Sequence, residues 1–252
     1  MPIALSINLN KIALLRNSRP GNFPNVVEHG KMCLDAGAQG LTVHPRPDQR
    51  HIRPHDVYDL AALVKRYAGC EFNIEGNPFA PPLEDYPGLL ALVQATQPQQ
   101  VTLVPDSQKQ LTSDHGFDLF QDGDRLAPII EQLHGFGARV SLFMDPDIEQ
   151  IGLAKEVGAD RIELYTGPFA DAYAAKSSHL DGLYQRYVDA ALAATDLSLG
   201  VNAGHDLNLH NLQLFNQLPN LAEVSIGHAL TVDALNLGLA IAVTEYLKLC
   251  QP

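Results

Sequence analysis

Cysteine is scarce and scattered: Cys33, Cys70 and Cys250 are the only three in 252 residues, and no CxxC pair occurs. That excludes a disulfide framework and a zinc knuckle, and leaves thiols expected to be buried or inert in a reducing cytoplasm. Positive charge is short as well. Seventeen Lys and Arg stand against 29 Asp and Glu, a net charge of −12. Nucleic acid and anionic membranes both require a positive footprint, so neither is expected as a partner. No run of 18 apolar residues occurs, so no membrane span is expected. The apolar opening is interrupted by Asn8, Asn10 and Lys11 and has no basic stretch ahead of it. It suits a first strand better than a signal peptide. Also missing are GxGxxG and GxxxxGK[ST], the glycine-rich phosphate turns of open doubly wound sheets.

What remains is an ordinary globular balance, 46% hydrophobic and 18% charged, in a length suited to one large α/β domain over residues 1–252. Short strand-like runs alternate with amphipathic stretches. Strands are expected at 3–8, 40–45, 70–76, 100–106, 139–145, 161–167, 197–204 and 222–229. Helices are expected at 25–36, 55–67, 88–96, 124–135, 147–157, 183–194, 209–218 and 231–250, the last capped by Thr231. Glycine-containing turns at 35–40, 135–139 and 157–160 feed the following strands. Eight β/α units in this length predict a closed eight-stranded parallel sheet, a single (β/α)8 TIM barrel.

Side-chain parity locates a site within it. Alternate strand residues face opposite sides. One parity is polar near the C-terminal end of every strand: Asn8, His44, Glu75, Asp106, Asp145, Glu163, Asn202 and Ser225. A parallel strand buried on both faces ordinarily reads as continuous Val, Ile and Leu. Eight polar positions converging on one mouth, where barrel chemistry is found, predict a catalytic site. His44, His205 and His228 lie at strand ends, and Glu75 and Glu163 face inward. Together they supply general acids and bases near neutrality.

Charge distribution adds a substrate class. Residues 1–53 hold seven of the 17 Lys and Arg but three of the 29 acids, a balance of +4. Lys11, Arg16 and Arg19 follow the first strand. Arg46, Arg50, His51 and Arg53 follow the second, among prolines that limit their freedom. Across the mouth, Gly204-His205 and Gly227-His228 end strands seven and eight, where barrels commonly hold phosphate on backbone amides. Two anion-binding regions predict a bisphosphate or two phosphorylated substrates. No lysine ends strands five to seven, against a Schiff-base aldolase, and no HxH opens the chain, against an amidohydrolase-type metal site. Two alternatives stay open. One is a phosphosugar isomerase with a divalent metal on Glu75, Asp106, Asp145, Glu163 and His205. The other is a non-catalytic phosphosugar-binding barrel. Asp106 and Asp145 also read as turn or N-cap residues.

Several stretches, in order, resemble the pyridoxine 5'-phosphate synthase family: NLNKIALLRNSR (residues 8–19), TVHPRPDQRHI (42–52), FNIE (72–75), LVPD (103–106), VSLFMD (140–145), IELYTG (162–167), VNAGH (201–205) and SIGH (225–228). The resemblance covers essentially the whole chain. It implies a (β/α)8 barrel assembled as a cytoplasmic homo-octamer. The implied reaction condenses 3-amino-2-oxopropyl phosphate with 1-deoxy-D-xylulose 5-phosphate to pyridoxine 5'-phosphate, phosphate and water, without metal or organic cofactor. It further implies His44 and Glu75 as proton acceptors, His205 as proton donor and Glu163 as transition-state stabiliser. Asn8, Arg19, Gly227 and His228 would contact the amino-ketone phosphate; Arg46, His51 and Thr112 would contact the sugar phosphate. The loop at 106–120 would close over the mouth, with Gly116 as a hinge. The chain departs from the family's common pattern at Asn10-Lys11, where Asp-His is usual, and at Asp206, where glycine is usual. These three residues take the corresponding substrate-contact positions.

Overall fold

The structure, a computed structural model, describes residues 2–107 and 109–251. Eight strands close into one parallel barrel in chain order: β1 (Ala4–Asn8), β2 (Gly40–Val43), β3 (Glu71–Gly76), β4 (Gln100–Leu103), β5 (Arg139–Met144), β6 (Arg161–Tyr165), β7 (Gly200–Gly204) and β8 (Leu221–Ile226). Closure is the pairing of β1 with β8, which sets Ser6 beside Ser225. Around it run α1 (Asn10–Asn17), α2 (Val26–Asp35), α3 (Pro54–Val64), α4 (Leu89–Thr96), α5 (Leu119–Gly135), α6 (Ile148–Glu156), α7 (Gly167–Ala174), α8 (Leu180–Asp196), α9 (Leu212–Phe215), α10 (His228–Leu237) and α11 (Leu239–Leu249).

Local chemistry sets many of these boundaries. Asn25 and Asp147 cap α2 and α6 by accepting the free amides of the first turn, and Asp118 caps α5 through Phe120 N–H. Gly37 and Gly158 leave α2 and α6 at φ +104° and +96°, a conformation L side chains rarely adopt, and so turn the chain into the next strand.

Three expectations are corrected. Thr231 does not cap the last helix; it lies inside α10, and its hydroxyl donates back to Gly227 O at 2.8 Å. The closing segment is two helices, broken at Gly238 (φ +83°). The stretch after β1, where no helix is expected, is helix α1, which begins two residues beyond the strand.

The outward strand parity is apolar and fully covered by helices: Leu5, Ile7, Leu41, Ile74, Leu142, Leu164 and Val224 are all buried. The inward parity is hydrogen-bonded instead. Ser6 and Thr42 share a 2.7 Å hydroxyl contact, and Asn73 Nδ2 donates to Thr42 Oγ1 at 3.4 Å. Below this belt Arg161 bridges Asn202 (2.9 Å) and Glu223 (3.3 Å), and Arg139 pairs with Glu71. Most (β/α)8 barrels fill this space with branched apolar side chains; here it is largely a ladder of polar groups, paired except for Ser141 Oγ, which is buried without a partner among the described residues.

Candidate active site

At the C-terminal end of the barrel lies a cavity of about 290 Å³. Thirteen of the fourteen expected site residues line it: Asn8, Asn10, Lys11, His44, Arg46, His51, Glu75, Thr112, Glu163, His205, Asp206, Gly227 and His228. The fourteenth, Arg19, is exposed just past α1 and outside the lining.

Glu75 ends β3 at the cavity floor. Asn8 Nδ2 donates to its Oε2 at 3.3 Å. His44 stands between two carboxylates, with Nδ1 3.7 Å from Glu75 and Nε2 3.7 Å from Asp106. Burial pushes the Glu75 carboxyl up to about 8, and the negative charges of Asp106 and Glu223 add to the effect. Glu163 also rises well above the usual range through burial, then through Glu75 and Glu223. Thr102 Oγ1 lies 3.2 Å from Asn73 and 3.3 Å from Glu163, so its proton serves one of them at a time. Both glutamates therefore hold protons near neutrality. Glu75 is able to exchange one, and Glu163, as a neutral acid, is able to donate a hydrogen bond.

The histidines of the β2 loop behave oppositely. Burial lowers His44 well below its ordinary value, reinforced by the charges of Arg46 and Arg50. Burial, then Arg46 and Arg50, brings His51 down to about 3. Its Nδ1 accepts the Ile52 amide at 2.9 Å, so the ring is neutral with its proton on Nε2. A neutral His44 is a proton acceptor.

The cations are anchored by their neighbours. Arg46 pairs closely with Asp106 and donates to Gln110 O at 3.1 Å. Arg50 pairs with Asp48 at 2.6 Å and donates to Gln110 O at 2.7 Å. The two guanidinium groups thereby hold the loop after β4 beside the mouth. Leu111, Thr112 and Ser113 of that loop line the cavity, and Gln108 within it lies outside the described residues. Gly116 is not placed as a free pivot. It docks on β5, where an added Cβ would collide with the backbone of Met144 and Asp145. Its amide donates to Asp145 Oδ2 at 3.2 Å.

Asn10 and Lys11 occupy the first turn of α1. Asn10 Oδ1 accepts the His44 amide at 2.9 Å and ties α1 to the end of β2, while Lys11 faces the cavity. Opposite them, Gly227 and His228 open α10, whose first-turn amides lack partners within the helix. Asp206, which lines the cavity, directs its carboxylate to His205 Nδ1 at 2.7 Å.

Arg16 is the clearest misplacement. Expected among the mouth cations, it is completely buried and forms a two-pronged ion pair with Asp56 at 2.6 and 2.8 Å. It also donates to His51 O at 2.9 Å. Asp106 was underestimated: it caps no helix, since Asp118 caps α5, but partners Arg46 and accepts from Ser113 at 2.9 Å. Nor does Asp145 cap α6, where Asp147 serves. Phe143 was missed. It faces the cavity between inward Ser141 and Asp145, so the period-two pattern pointed to it although its apolar type did not. Among the described residues no three His, Cys, Asp or Glu side chains are grouped as a metal ion would need, so the five donors of the isomerase alternative do not form a ligand set. No helix among the described residues is long and apolar enough to cross a membrane.

The chain is similar to known proteins at two levels. The chain is 56% identical over 250 residues to pyridoxine 5'-phosphate synthase of Xanthomonas campestris pv. campestris, covering 99% of this chain and 96% of that one. It is 52% identical over 246 residues to the enzyme of the same name from Xylella fastidiosa, covering 97% and 94%. Solved structures share the fold at low identity. Tryptophan synthase from M. tuberculosis superposes with a TM-score of 0.65 at 14% identity, covering 100% of this chain and 93% of that one. 3-Hexulose-6-phosphate synthase from Salmonella typhimurium gives 0.62 at 16%, covering 98% of each. The profile of one family, described as pyridoxal phosphate biosynthesis protein PdxJ, matches residues 5–252, and the chain belongs to that family.

Proposed function

We propose that the chain makes pyridoxine 5'-phosphate by condensing 3-amino-2-oxopropyl phosphate with 1-deoxy-D-xylulose 5-phosphate. The observation that carries this reading is the pairing of opposite proton states on one cavity floor. Glu75 and Glu163 are proton-bearing carboxyls, and His44 is a neutral imidazole 3.7 Å from Glu75. Ring formation needs repeated proton removal and return, and groups poised near the working pH do this without external acid or base.

In this reading the amine of one substrate attacks the ketone of the other, and water leaves as the imine forms. Neutral His44, and Glu75 once it has released its own proton, take protons from carbon and nitrogen. The sugar half loses its phosphate, and His205 returns a proton during addition and ring closure. Glu163 donates a hydrogen bond to charge that develops over the floor. Lys11, Arg46 and His51 on one side, and the α10 amides on the other, hold two dianions that repel each other in solution. Bringing them together supplies much of the acceleration. The large exposed apolar side chains Leu235 and Ile241 on α10 and α11 suit the homo-octamer, and the reading places the enzyme in the cytoplasm.

Incubation with both substrates should produce the ultraviolet absorbance of the pyridine product. Glu75→Gln should abolish this while inorganic phosphate still stabilises the protein against heat. Near-parental turnover in Glu75→Gln would refute the assignment.

A further inference from the structure

We propose that Asp206 is a positioning residue for His205: it holds the ring by Nδ1 and turns Nε2 to the cavity. The proposal rests on the reading of His205 as proton donor.

The ring is gripped at both nitrogens. Asp206 Oδ2 lies 2.7 Å from Nδ1, and Thr112 Oγ1 lies 2.8 Å from Nε2. Tyr165 packs against it edge-to-face at 5.3 Å. Backbone geometry enforces the pairing. His205 and Asp206 have φ of +82° and +57°, two consecutive left-handed residues that are not glycine. Such a turn is costly for L residues and persists where its surroundings hold it. Asn211 Nδ2 donates to Asp206 O at 3.0 Å, and Thr166 Oγ1 donates to Gly204 O at 2.9 Å. With its carbonyls pinned, the turn brings two adjacent side chains onto the same side, where a carboxylate meets an imidazole N–H.

A carboxylate on Nδ1–H fixes the orientation of the ring and leaves Nε2 as the nitrogen that faces substrate. The Asp206 carboxyl sits below the usual range chiefly through this hydrogen bond. Other groups face the pair. Lys11 from α1 and His228 from α10 bring positive charge to Asp206. Glu163 of β6 lies against Gly204 and is held neutral by burial, so it adds no negative charge. Tyr165 presents a ring and Thr112 a hydroxyl. Asp206 is therefore the carboxylate in hydrogen-bond contact with His205, on the nitrogen away from the cavity.

Asp206→Asn and Asp206→Gly test this. Both residues tolerate left-handed backbone, so the turn survives. Asn keeps an oxygen acceptor without the charge, and Gly removes both. Asp206→Gly, which frees the ring, should lower kcat about tenfold, while Asp206→Asn, whose oxygen still accepts from Nδ1–H, should keep kcat within about threefold of the parent; KM for both substrates should stay within about twofold in each. A second measurement is independent of turnover. In a crystal structure of Asp206→Gly the His205 ring should leave the orientation it has here, and in Asp206→Asn it should keep it. Equal kcat in parent and Asp206→Gly, or an unmoved ring in Asp206→Gly, would overturn the proposal. A parent that makes no product overturns the reading of the reaction instead, and the ring orientation then decides the Asp206–His205 pair alone.

Discussion

Replacing Arg16 by Met should unfold this barrel more readily than any other single exchange of an arginine. Arg16 is completely inaccessible, the largest such side chain among the described residues. It binds both oxygens of Asp56, the His51 carbonyl at 2.9 Å and Asn17 Oδ1 at 2.9 Å. Met keeps much of the volume and none of the donors. The Asp56 carboxylate, 3% exposed, keeps the Arg53 amide at 2.8 Å and His55 at 3.4 Å as neighbours. Stranding one member of a buried ion pair costs about 3–5 kcal/mol. For a chain of this size that lowers Tm by about 6–20 °C, at roughly 2–4 °C per kcal/mol. Urea unfolding followed by circular dichroism measures the loss directly. Adding Asp56→Leu to Arg16→Met should recover most of it, because the stranded charge is then gone. A single variant that loses less than about 1 kcal/mol, or a double variant as unstable as the single, would refute the reasoning. Function should register the change as well. Arg16 and Asn17 hold the carbonyls of the loop that carries Arg46 and His51, so KM for the sugar phosphate should rise in the Arg16→Met enzyme.

Stability should carry two opposed pH dependences. His51 is depressed from 6.5 to about 3 in the folded protein, so its contribution is full above pH 6.5 and is lost as pH falls toward 3. His51→Gln should flatten that acid limb in denaturant titrations. Glu75 is raised from 4.5 to about 8, so its contribution is full below pH 4.5 and is lost as pH rises toward 8. Glu75→Gln, though inactive, should therefore be more stable than the parent at pH 8, with the gain vanishing near pH 4.5. Gly116→Ala drives a methyl into the backbone of Met144 and Asp145, which cannot rotate away. It should cost about 1–3 kcal/mol and lower turnover by displacing the loop that carries Thr112, and scanning calorimetry with steady-state rates checks both.

The barrel was legible because its strands advertise two faces. Ser6, Thr42, Asn73 and Thr102 alternate with fully buried aliphatics, and a period of two survives any uncertainty in boundaries. The site followed from the same parity carried to the strand ends. The two helices that escaped had misleading starts. Helix α1 begins directly after β1, with Asn8 Oδ1 accepting the Asn10 amide in place of an ordinary capping residue. Helix α7 opens on Gly167-Pro168, which reads as a turn, although proline suits a first helical turn. Arg16 was misread for a different reason. Composition makes it one of several arginines near a phosphate-binding mouth, and only its contact with Asp56, forty residues away on α3, separates a structural cation from a ligand-binding one. Asp106 could not be assigned from sequence because Arg46, which it binds, lies sixty residues earlier.

The hydrogen-bonded lumen has a consequence for how the protein holds together. With Ser6, Thr42, Asn73, Gln100 and Asn202 turned inward, the sheet encloses little oil of its own, although Phe143 also faces the lumen. The apolar contacts that drive folding lie in the annulus between strands and helices, so each layer is the other's solvent shield. A bare eight-stranded cylinder would expose its greasy side to water and retain mainly polar contacts within. It is therefore not a viable stopping point, and strands and helices are bound to gain and lose their order together.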